Sequence, residues 1–233
     1  IMAMVDSSIG GKTGINDVLG KNLIGTFYQP SSVIIDIEYL KTLPNREFNS
    51  GLSEVIKYGL IYENCFLDWI ELNVKNIKNK DYEAICYMIN MSCKIKSEII
   101  SIDEKEKNYR AILNLGHTFG HSIENCLGYG TLLHGEAISI GILMSADVSL
   151  QLNLIDKNYL NRIKKLLLDF ELPIQVDYNV TVNNIINTMM LDKKNKNNQL
   201  YLILINSKKK KKAINLINID DNYLLKNIIK KYL

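Results

Sequence analysis

The sequence predicts a mainly helical protein with a small β-hairpin near its carboxyl end. Between Ser50 and Met190, apolar residues recur at helical spacing in successive segments, the pattern of helices that each bury one face. Two apolar, β-like runs follow, at 200–205 and 213–219, and the five lysines between them (208–212) indicate a solvated turn. The chain has 233 residues, of which 47% are hydrophobic and 23% charged, enough to build one core or somewhat more.

The first 44 residues are predicted to form loops and one strand. Residues 6–30 should hold no long regular element, because five glycines interrupt them: Gly10, Gly11, Gly14, Gly20 and Gly25. The short β-branched run 32–37 follows Pro30 and predicts a buried strand. Pro44 then marks a break before the helical part.

The helical part divides into successive predicted helices, at 55–61, 66–72, 82–102, from near His117, 135–150, 158–170 and 182–190. The segment 135–150 is apolar nearly all round, which indicates a helix in the centre of the core.

Composition excludes several classes of protein. A formal charge of +3 and a pI of about 8.5 are too mild to indicate nucleic-acid binding, and the lysines 208–212 have no interleaved aromatic residues. No apolar run approaches the roughly 20 residues of a membrane span, and the first residues do not form a signal peptide. The four cysteines show no CxxC spacing. We therefore expect a soluble, cytoplasmic protein without disulfides.

Three histidines, His117, His121 and His134, lie in one short window of the chain. His117 and His121 share a face if their segment is helical, and imidazole is the commonest metal ligand. The spacing leaves two interpretations open, a metal site or histidines in the core and at helix ends. A zinc site with two imidazoles also needs a third ligand, and the candidate carboxylates are Glu54, Glu124 and Glu136.

Other polar residues fall in patterns with two interpretations each. Glu54 and Lys57 are spaced i, i+3, which fits a surface ion pair as well as a site. The glycine-rich segment 6–14 lacks Walker A spacing but offers amides and Lys12 to an anion, and the alternative is an irregular surface loop. Arg110 and Asn114 would extend His117 and His121 into one polar stripe if this segment is helical, which suggests a pocket wall.

Five motifs occur in order along the chain: VDSSIGGKTG (5–14), GKNLIGTFYQP (20–30), EVIKYG (54–59), RAILNLGHTFGH (110–121) and LHGE (133–136). Together they resemble the 3-dehydroquinate synthase family, over nearly the whole chain and most weakly after Pro173. The resemblance implies conversion of 3-deoxy-D-arabino-heptulosonate 7-phosphate (DAHP) into 3-dehydroquinate and phosphate, in the shikimate pathway to aromatic amino acids. It also implies NAD, reduced and reoxidised within each turnover, and one divalent metal, zinc or cobalt.

Site residues follow from the same motifs. The resemblance implies metal binding by Glu54, His117 and His134. It implies that the substrate phosphate lies near Lys12, Asn22 and His121, the carboxylate near Lys96 and Arg110, and the ring hydroxyls near Asp6, Lys57 and Asn114. A further phosphate-binding lysine is expected at Lys194, although Lys193 matches the family loop equally well. Cofactor contacts are expected from Lys12, Lys21, Tyr39, Leu40, Lys41 and Thr42.

The resemblance divides the chain at residue 48. Residues 1–48 correspond to the last loop and strand of an α/β NAD-binding domain, and residues 49–233 to a helical domain that binds metal and substrate. The glycine-rich turn that receives the pyrophosphate has no counterpart in this sequence, so we expect weak NAD binding by this chain alone. The expected partners are the small-molecule substrate and a second copy in a homodimer, with no nucleic acid and no membrane.

Three alternatives remain at this point. Another sugar phosphate cyclase, such as a 2-deoxy-scyllo-inosose or valiolone synthase, or a metal-dependent glycerol dehydrogenase would share the metal ligands. Lys96 and Arg110 favour DAHP over neutral sugars, because its carboxylate needs cationic partners. The chain could also be a non-catalytic helical module that serves only in interactions.

Overall fold

The computed structural model describes residues 1–17, 20–62, 64–106, 108–128, 130–190, 200–207, 214–219 and 222–233. Its α-helices are α1 (Asn45–Ile61), α2 (Asn64–Leu72), α3 (Val74–Lys78), α4 (Tyr82–Ile102), α5 (His117–Leu127), α6 (His134–Gln151), α7 (Lys157–Asp169), α8 (Val182–Met190) and α9 (Asn222–Tyr232). Short helical turns span Ala3–Ser7, Ile37–Lys41 and Tyr109–Asn114. The strands are β1 (Ile15–Asp17), β2 (Gly20–Ile24), β3 (Tyr201–Ile205) and β4 (Ile214–Asn218). The predicted mainly helical class is confirmed.

Helix α6 lies at the centre of the core. It is buried from Gly135 to Ser149, and it packs against α1, α5, α7, α9 and β3. The prediction of a central helix over 135–150 is confirmed, because a helix that is apolar all round can be stable only with neighbours on every side.

Two glycines of α6 allow close contact with neighbouring backbone. A Cβ on Gly135 would lie 1.8 Å from the carbonyl oxygen of Ser50 in α1, and a Cβ on Gly141 would lie 2.1 Å from that of Gly116, just before α5. No side chain fits at either contact. The two glycines therefore hold α1 and α5 directly against α6, which sets the distances between the residues that these helices carry.

The carboxyl-terminal hairpin is also confirmed. Strands β3 and β4 pair antiparallel, from Tyr201 opposite Asn218 to Ile205 opposite Ile214, and β3 packs on α6. The lysines 208–212, predicted to form its solvated turn, lie outside the described residues.

The predicted buried strand at 32–37 is wrong. Its residues form no strand in the described chain, and the side chain of Ile34 is 92% exposed. A strand needs a neighbour to take up its backbone N–H and C=O groups, and β-branched composition does not reveal whether one is present. The pairing found in this part of the chain is the short antiparallel hairpin of β1 and β2, in which Ile15 faces Ile24.

Two observations bear on the setting of the protein. Cys65, Cys86, Cys93 and Cys126 are free thiols. Among the helices in the described ranges, none combines the length and the apolar composition needed to cross a bilayer.

Candidate functional site

Two histidines and a glutamate from three helices meet at one point. His117 and His134 are the first residues of α5 and α6, and Glu54 lies in the middle of α1. The Nε2 atoms of His117 and His134 lie 3.5 and 3.8 Å from Oε1 of Glu54. The structure thus brings together the three side chains that the motifs imply as metal ligands.

Glu54 is almost completely buried, with 1% of its surface exposed. Its carboxylate contacts the ammonium group of Lys57, which is equally buried, so the surface ion pair considered from the sequence is wrong for these residues. None of the described donors makes a hydrogen bond of good geometry to either Glu54 oxygen. Lys57 compensates Oε2, whereas Oε1 faces the two imidazole nitrogens, and a buried carboxylate oxygen is costly unless a cation compensates it. A metal ion bound by the two Nε2 atoms would do so at Oε1.

Both histidines use their second ring nitrogen in a contact with an acceptor. Nδ1 of His117 lies 3.1 Å from the carbonyl oxygen of Leu115, and Nδ1 of His134 lies 3.3 Å from Oε2 of Glu124. Because both acceptors need a proton from Nδ1, each Nε2 keeps a free electron pair toward Glu54. Burial, together with the charges of Lys57 and the neighbouring histidines, lowers the pKa of His117 well below its usual value, which favours the neutral ligand form. This donor set of one carboxylate and two imidazoles fits zinc or a similar divalent ion.

His121 adds a third imidazole to this cluster. Its ring centroid lies 5.2 Å from that of His117 and 5.6 Å from that of His134. One ligand nitrogen from each of the three histidines can lie within 4.8 Å of the other two. His121 is therefore a second geometric candidate for a third ligand, beside Glu54.

The third candidate carboxylate has a different role. Glu136 accepts a hydrogen bond from the backbone N–H of Leu133, 2.8 Å away, and so caps α6. Its carboxylate also pairs with Arg46 at 2.6 and 2.7 Å. Glu136 therefore fixes the start of the helix that carries His134 and is not a member of the metal cluster.

A cavity of about 390 Å³ opens beside the metal cluster. Its cationic wall comprises Lys12, Lys57, Lys96 and Arg110, and its other polar lining residues are Asp6, Asn114, His117, His121 and His134. The four cations make this cavity suited to a ligand with more than one anionic group.

The polar stripe expected over 110–121 is not one helix. Residues 109–114 form a tight helical turn, and the chain then reverses at Gly116, with φ +78°, before α5 begins. Leu115 and Gly116 are thus inserted between the two halves of the stripe. Arg110, Asn114, His117 and His121 nevertheless line the same cavity, as the pocket-wall interpretation requires.

Asp6 lies at the centre of a hydrogen-bonded group. Its Oδ1 accepts from the hydroxyl of Tyr58 at 2.5 Å and from Nζ of Lys96 at 2.9 Å, and Nζ of Lys57 lies 3.9 Å away. Burial opposes ionisation of Asp6, but Lys57 and Lys96 outweigh it and hold its pKa well below the usual value. Burial lowers the pKa of Lys96, an effect that the nearby Asp6 opposes. We expect Asp6 to be a carboxylate at neutral pH.

Arg110 is buried beneath the glycine-rich loop, with 2% of its surface exposed. Its two terminal nitrogens donate to the carbonyl oxygens of Glu104, at 2.5 Å, and of Gly10, at 2.9 Å, and its guanidinium lies over the ring of Phe27. Arg110 thus ties the glycine-rich loop to the segment that follows α4.

The sequence did not predict the roles of three residues at the site, Glu106, Tyr58 and Glu124. Glu106 contacts Lys12 and accepts a hydrogen bond from Asn114 at 2.8 Å. It lies in the charged run 103–107, where any acid resembles a solvated one. Tyr58 stands inside the EVIKYG motif, and Glu124 was only a candidate ligand; their roles depend on contacts across the fold that spacing does not reveal.

Of the expected cofactor contacts, Lys12 lines this cavity, whereas Tyr39, Leu40, Lys41 and Thr42 do not. Tyr39, Leu40 and Lys41 lie on the turn Ile37–Lys41, where Leu40 is buried and Lys41 pairs with Glu38. Thr42 follows and donates its hydroxyl to the carbonyl oxygen of Tyr39. The side chains of Lys21 and Asn22, and the whole of Lys193 and Lys194, lie outside the described part of the chain.

Two family models match the chain. The model for the 3-dehydroquinate synthase C-terminal part matches residues 51–195, and that for the N-terminal part matches residues 1–50. Curated relatives described as 3-dehydroquinate synthase include those of Nitrosomonas europaea, 50% identical over 196 residues, and Thermodesulfovibrio yellowstonii, 49% identical over 195 residues. Each alignment covers 84% of this chain but only 53% and 54% of these relatives, so the chain spans about half of their length.

Solved structures of sugar phosphate cyclases share the fold. A 2-epi-5-epi-valiolone synthase from Streptomyces hygroscopicus, with NAD+ and Zn2+ bound, matches with a TM-score of 0.87 at 22% identity, over 99% of this chain and 63% of that one. A 2-deoxy-scyllo-inosose synthase complexed with carbaglucose-6-phosphate, NAD+ and Co2+ matches with a TM-score of 0.83 at 26% identity, over 100% of this chain and 65% of that one.

Proposed function

Because this chain belongs to the 3-dehydroquinate synthase family, we propose that it carries the metal- and substrate-binding part of an enzyme that converts DAHP into 3-dehydroquinate and phosphate. One observation carries the proposal: a buried carboxylate and two imidazoles converge at one end of a cavity whose remaining wall holds four cations. DAHP presents the complementary groups, namely neighbouring hydroxyls, a carboxylate and a phosphate.

In this proposal Glu54, His117 and His134 hold the divalent ion, zinc or cobalt. When bound, the ion would supply Lewis acidity toward a substrate hydroxyl, and NAD would supply reversible uptake of the hydride from the carbon that bears it, returned within the same turnover. Asp6 remains ionised beside Lys57 and Lys96, so it accepts a hydrogen bond from a ring hydroxyl and orients the ring.

The cations of the cavity bind the two anionic ends of the substrate. Lys12, Asn22, His121 and Lys194 bind the phosphate and stabilise the charge on its oxygens as it departs, whereas Lys96 and Arg110 bind the carboxylate. Arg110 donates from its two terminal nitrogens to two backbone carbonyls, and its remaining N–H groups, including that of Nε, are left for the carboxylate.

We also propose the division of this chain into residues 1–48, which belong to an NAD-binding α/β domain, and residues 49–233, which bind metal and substrate. Lys12, Lys21 and the segment 39–42 contact the cofactor in this arrangement, and the whole enzyme is a cytoplasmic homodimer. Titration of the 233-residue chain with NAD tests the division. We expect no saturation below about 1 mM, and tight binding would show that these residues contain a complete cofactor site.

Calorimetry on the zinc-loaded chain tests the function itself. We expect one zinc per chain and saturable binding of DAHP, with both lost in Glu54→Ala. Glucose 6-phosphate is the matched control ligand, because it keeps the phosphate but lacks the carboxylate, and we expect it to bind more weakly. Zinc-loaded chain that does not bind DAHP, or that prefers glucose 6-phosphate, contradicts the proposal. Release of phosphate from DAHP after addition of NAD would extend it to the complete reaction.

A further inference from the structure

The two proposed histidine ligands are supported in different ways. Nδ1 of His117 lies against a backbone carbonyl, that of Leu115, in the turn that precedes its own helix. Nδ1 of His134 lies against a side-chain carboxylate, that of Glu124, from a different helix. The support of His117 is therefore part of the backbone, whereas that of His134 can be removed by one substitution.

Glu124 is built into the fold. It lies two turns after His117 on α5, and it is buried, with 6% of its surface exposed. Residues seven apart share a face of a helix, so α5 presents one metal ligand and one carboxylate to the same region. A buried carboxylate needs hydrogen-bond donors or charge partners, and the imidazole of His134 supplies one donor.

His134 depends on side-chain support more than His117 does. Its side chain is 34% exposed, against 12% for His117, so fewer neighbours restrict its ring. A contact at Nδ1 determines both the orientation of the ring and which nitrogen carries the proton.

We propose that Glu124 is a positioning residue that holds His134 with its proton on Nδ1 and its Nε2 directed at Glu54, and so sets the affinity of the metal site. The inference rests on the proposed metal centre. A carboxylate acceptor at Nδ1 also increases electron density on Nε2, which makes the imidazole a stronger ligand. Partners of this kind typically contribute about 10- to 100-fold in metal affinity.

The test compares zinc affinity, measured by competition with a chromogenic chelator, in the 233-residue chain and its variants. We expect Glu124→Ala to weaken zinc binding by about 10- to 100-fold. Glu124→Gln keeps an acceptor oxygen without the charge, so it should recover part of that loss. Ser122→Ala is the matched control on α5, because it removes a buried hydroxyl that donates to Thr118 one turn earlier, and its zinc affinity should equal that of the wild type.

Nitrogen-15 NMR of the histidine rings gives a readout that does not require metal. In the metal-free chain we expect the His134 proton on Nδ1, and a mixture of tautomers in Glu124→Ala. Folded Glu124→Ala with unchanged zinc affinity and an unchanged tautomer overturns the inference. If Glu124→Ala does not fold, Glu124→Gln is used instead. In that variant, a zinc affinity and a His134 tautomer equal to those of the wild type would likewise overturn the inference. If the wild-type chain binds no zinc, the proposed metal centre fails, while the tautomer of His134 still tests the role of Glu124.

Discussion

Residues 15–39 and the helical part differ in how far their large apolar side chains are exposed. In the helical part, most large apolar residues are buried, and Ile140 of α6 has no exposed surface, while some on the outer faces of helices are exposed, such as Leu72 and Ile102. In residues 15–39, apolar and aromatic side chains are exposed: Ile15, Ile24, Phe27, Tyr28, Val33, Ile34 and Tyr39. Seven exposed apolar and aromatic side chains within 25 residues favour contact of this segment with another surface. The helical part thus forms its own hydrophobic core. Residues 15–39 are as apolar as a buried segment, but these side chains are not covered by other residues.

This contrast agrees with the proposed division of the chain. The N-terminal family model ends at residue 50, close to the start of α1, and the relatives are about twice as long as the aligned part. We propose that residues 15–39 pack against the rest of the NAD-binding domain, to which residues 1–48 belong.

We expect the largest difference in stability when an isoleucine is replaced by alanine in each of the two regions. Ile140→Ala leaves a cavity in the core and should lower the free energy of unfolding by about 2–5 kcal/mol. Ile34→Ala removes an exposed side chain and should change it by less than about 0.5 kcal/mol. Urea unfolding of both variants measures the difference, and equal losses would show that 32–37 is buried in solution.

A smaller loss is expected from Gly141→Ala in α6. The new Cβ would meet the Gly116 carbonyl oxygen, and the resulting shift of α5 against α6 should cost about 1–3 kcal/mol. The same shift displaces His117, so zinc affinity should fall as well. Gly59→Ala is the control, because its Cβ would meet its nearest neighbours at 3.2 Å, which small adjustments can relieve. If Gly141→Ala is as stable as the wild type, α5 and α6 must lie farther apart than the structure shows.

Tyr58→Phe tests the hydrogen bond between α1 and Asp6, which precedes residues 15–39 in the chain. The substitution removes the hydroxyl that donates to Asp6 and should cost about 1–3 kcal/mol, since the acceptor is a charged carboxylate. Tyr39→Phe, at a position that is 73% exposed, should be within about 0.5 kcal/mol of the wild type. Thermal unfolding measures the stability of both variants. Similar losses would show that the Tyr58 hydroxyl does not stabilise Asp6.

We expect the smallest effect on the free energy of unfolding at Tyr232, in the helical part, and only at alkaline pH. Tyr232 of α9 donates its hydroxyl to Asp147 of α6, and burial together with that carboxylate raises its pKa well above the usual value of 10. A raised pKa in the folded state means that the stability contributed by Tyr232 is complete below pH 10 and is lost as the pH rises further. Tyr232→Phe should reduce the fall in unfolding free energy between pH 10 and 11 by at most about 1.4 kcal/mol. An unchanged slope in that range contradicts the assignment.

The sequence was sufficient for most of the helices and for the hairpin of β3 and β4, because their periodicity depends on which faces are buried in the chain itself. Helix α9 and the first ten residues of α1 were not predicted. The strand at 32–37 failed for the opposite reason, since strand formation depends on a neighbour that local composition does not describe. At the site, the motifs and the clustering of histidines identified Glu54, His117 and His134. Glu106 and Tyr58 were missed because their roles come from contacts with residues far away in sequence, Lys12 and Asp6.

The contacts at Gly135 and Gly141 have a consequence for motion. Backbone touching backbone leaves no layer of side chains that could repack, so α1 and α5 can neither slide nor rotate on α6 by small steps. We therefore expect α1, α5 and α6 to move as one unit, so that Glu54, His117 and His134 keep constant separations. Amide hydrogen exchange should accordingly be slowest in α1 and α6 and fastest in residues 24–36.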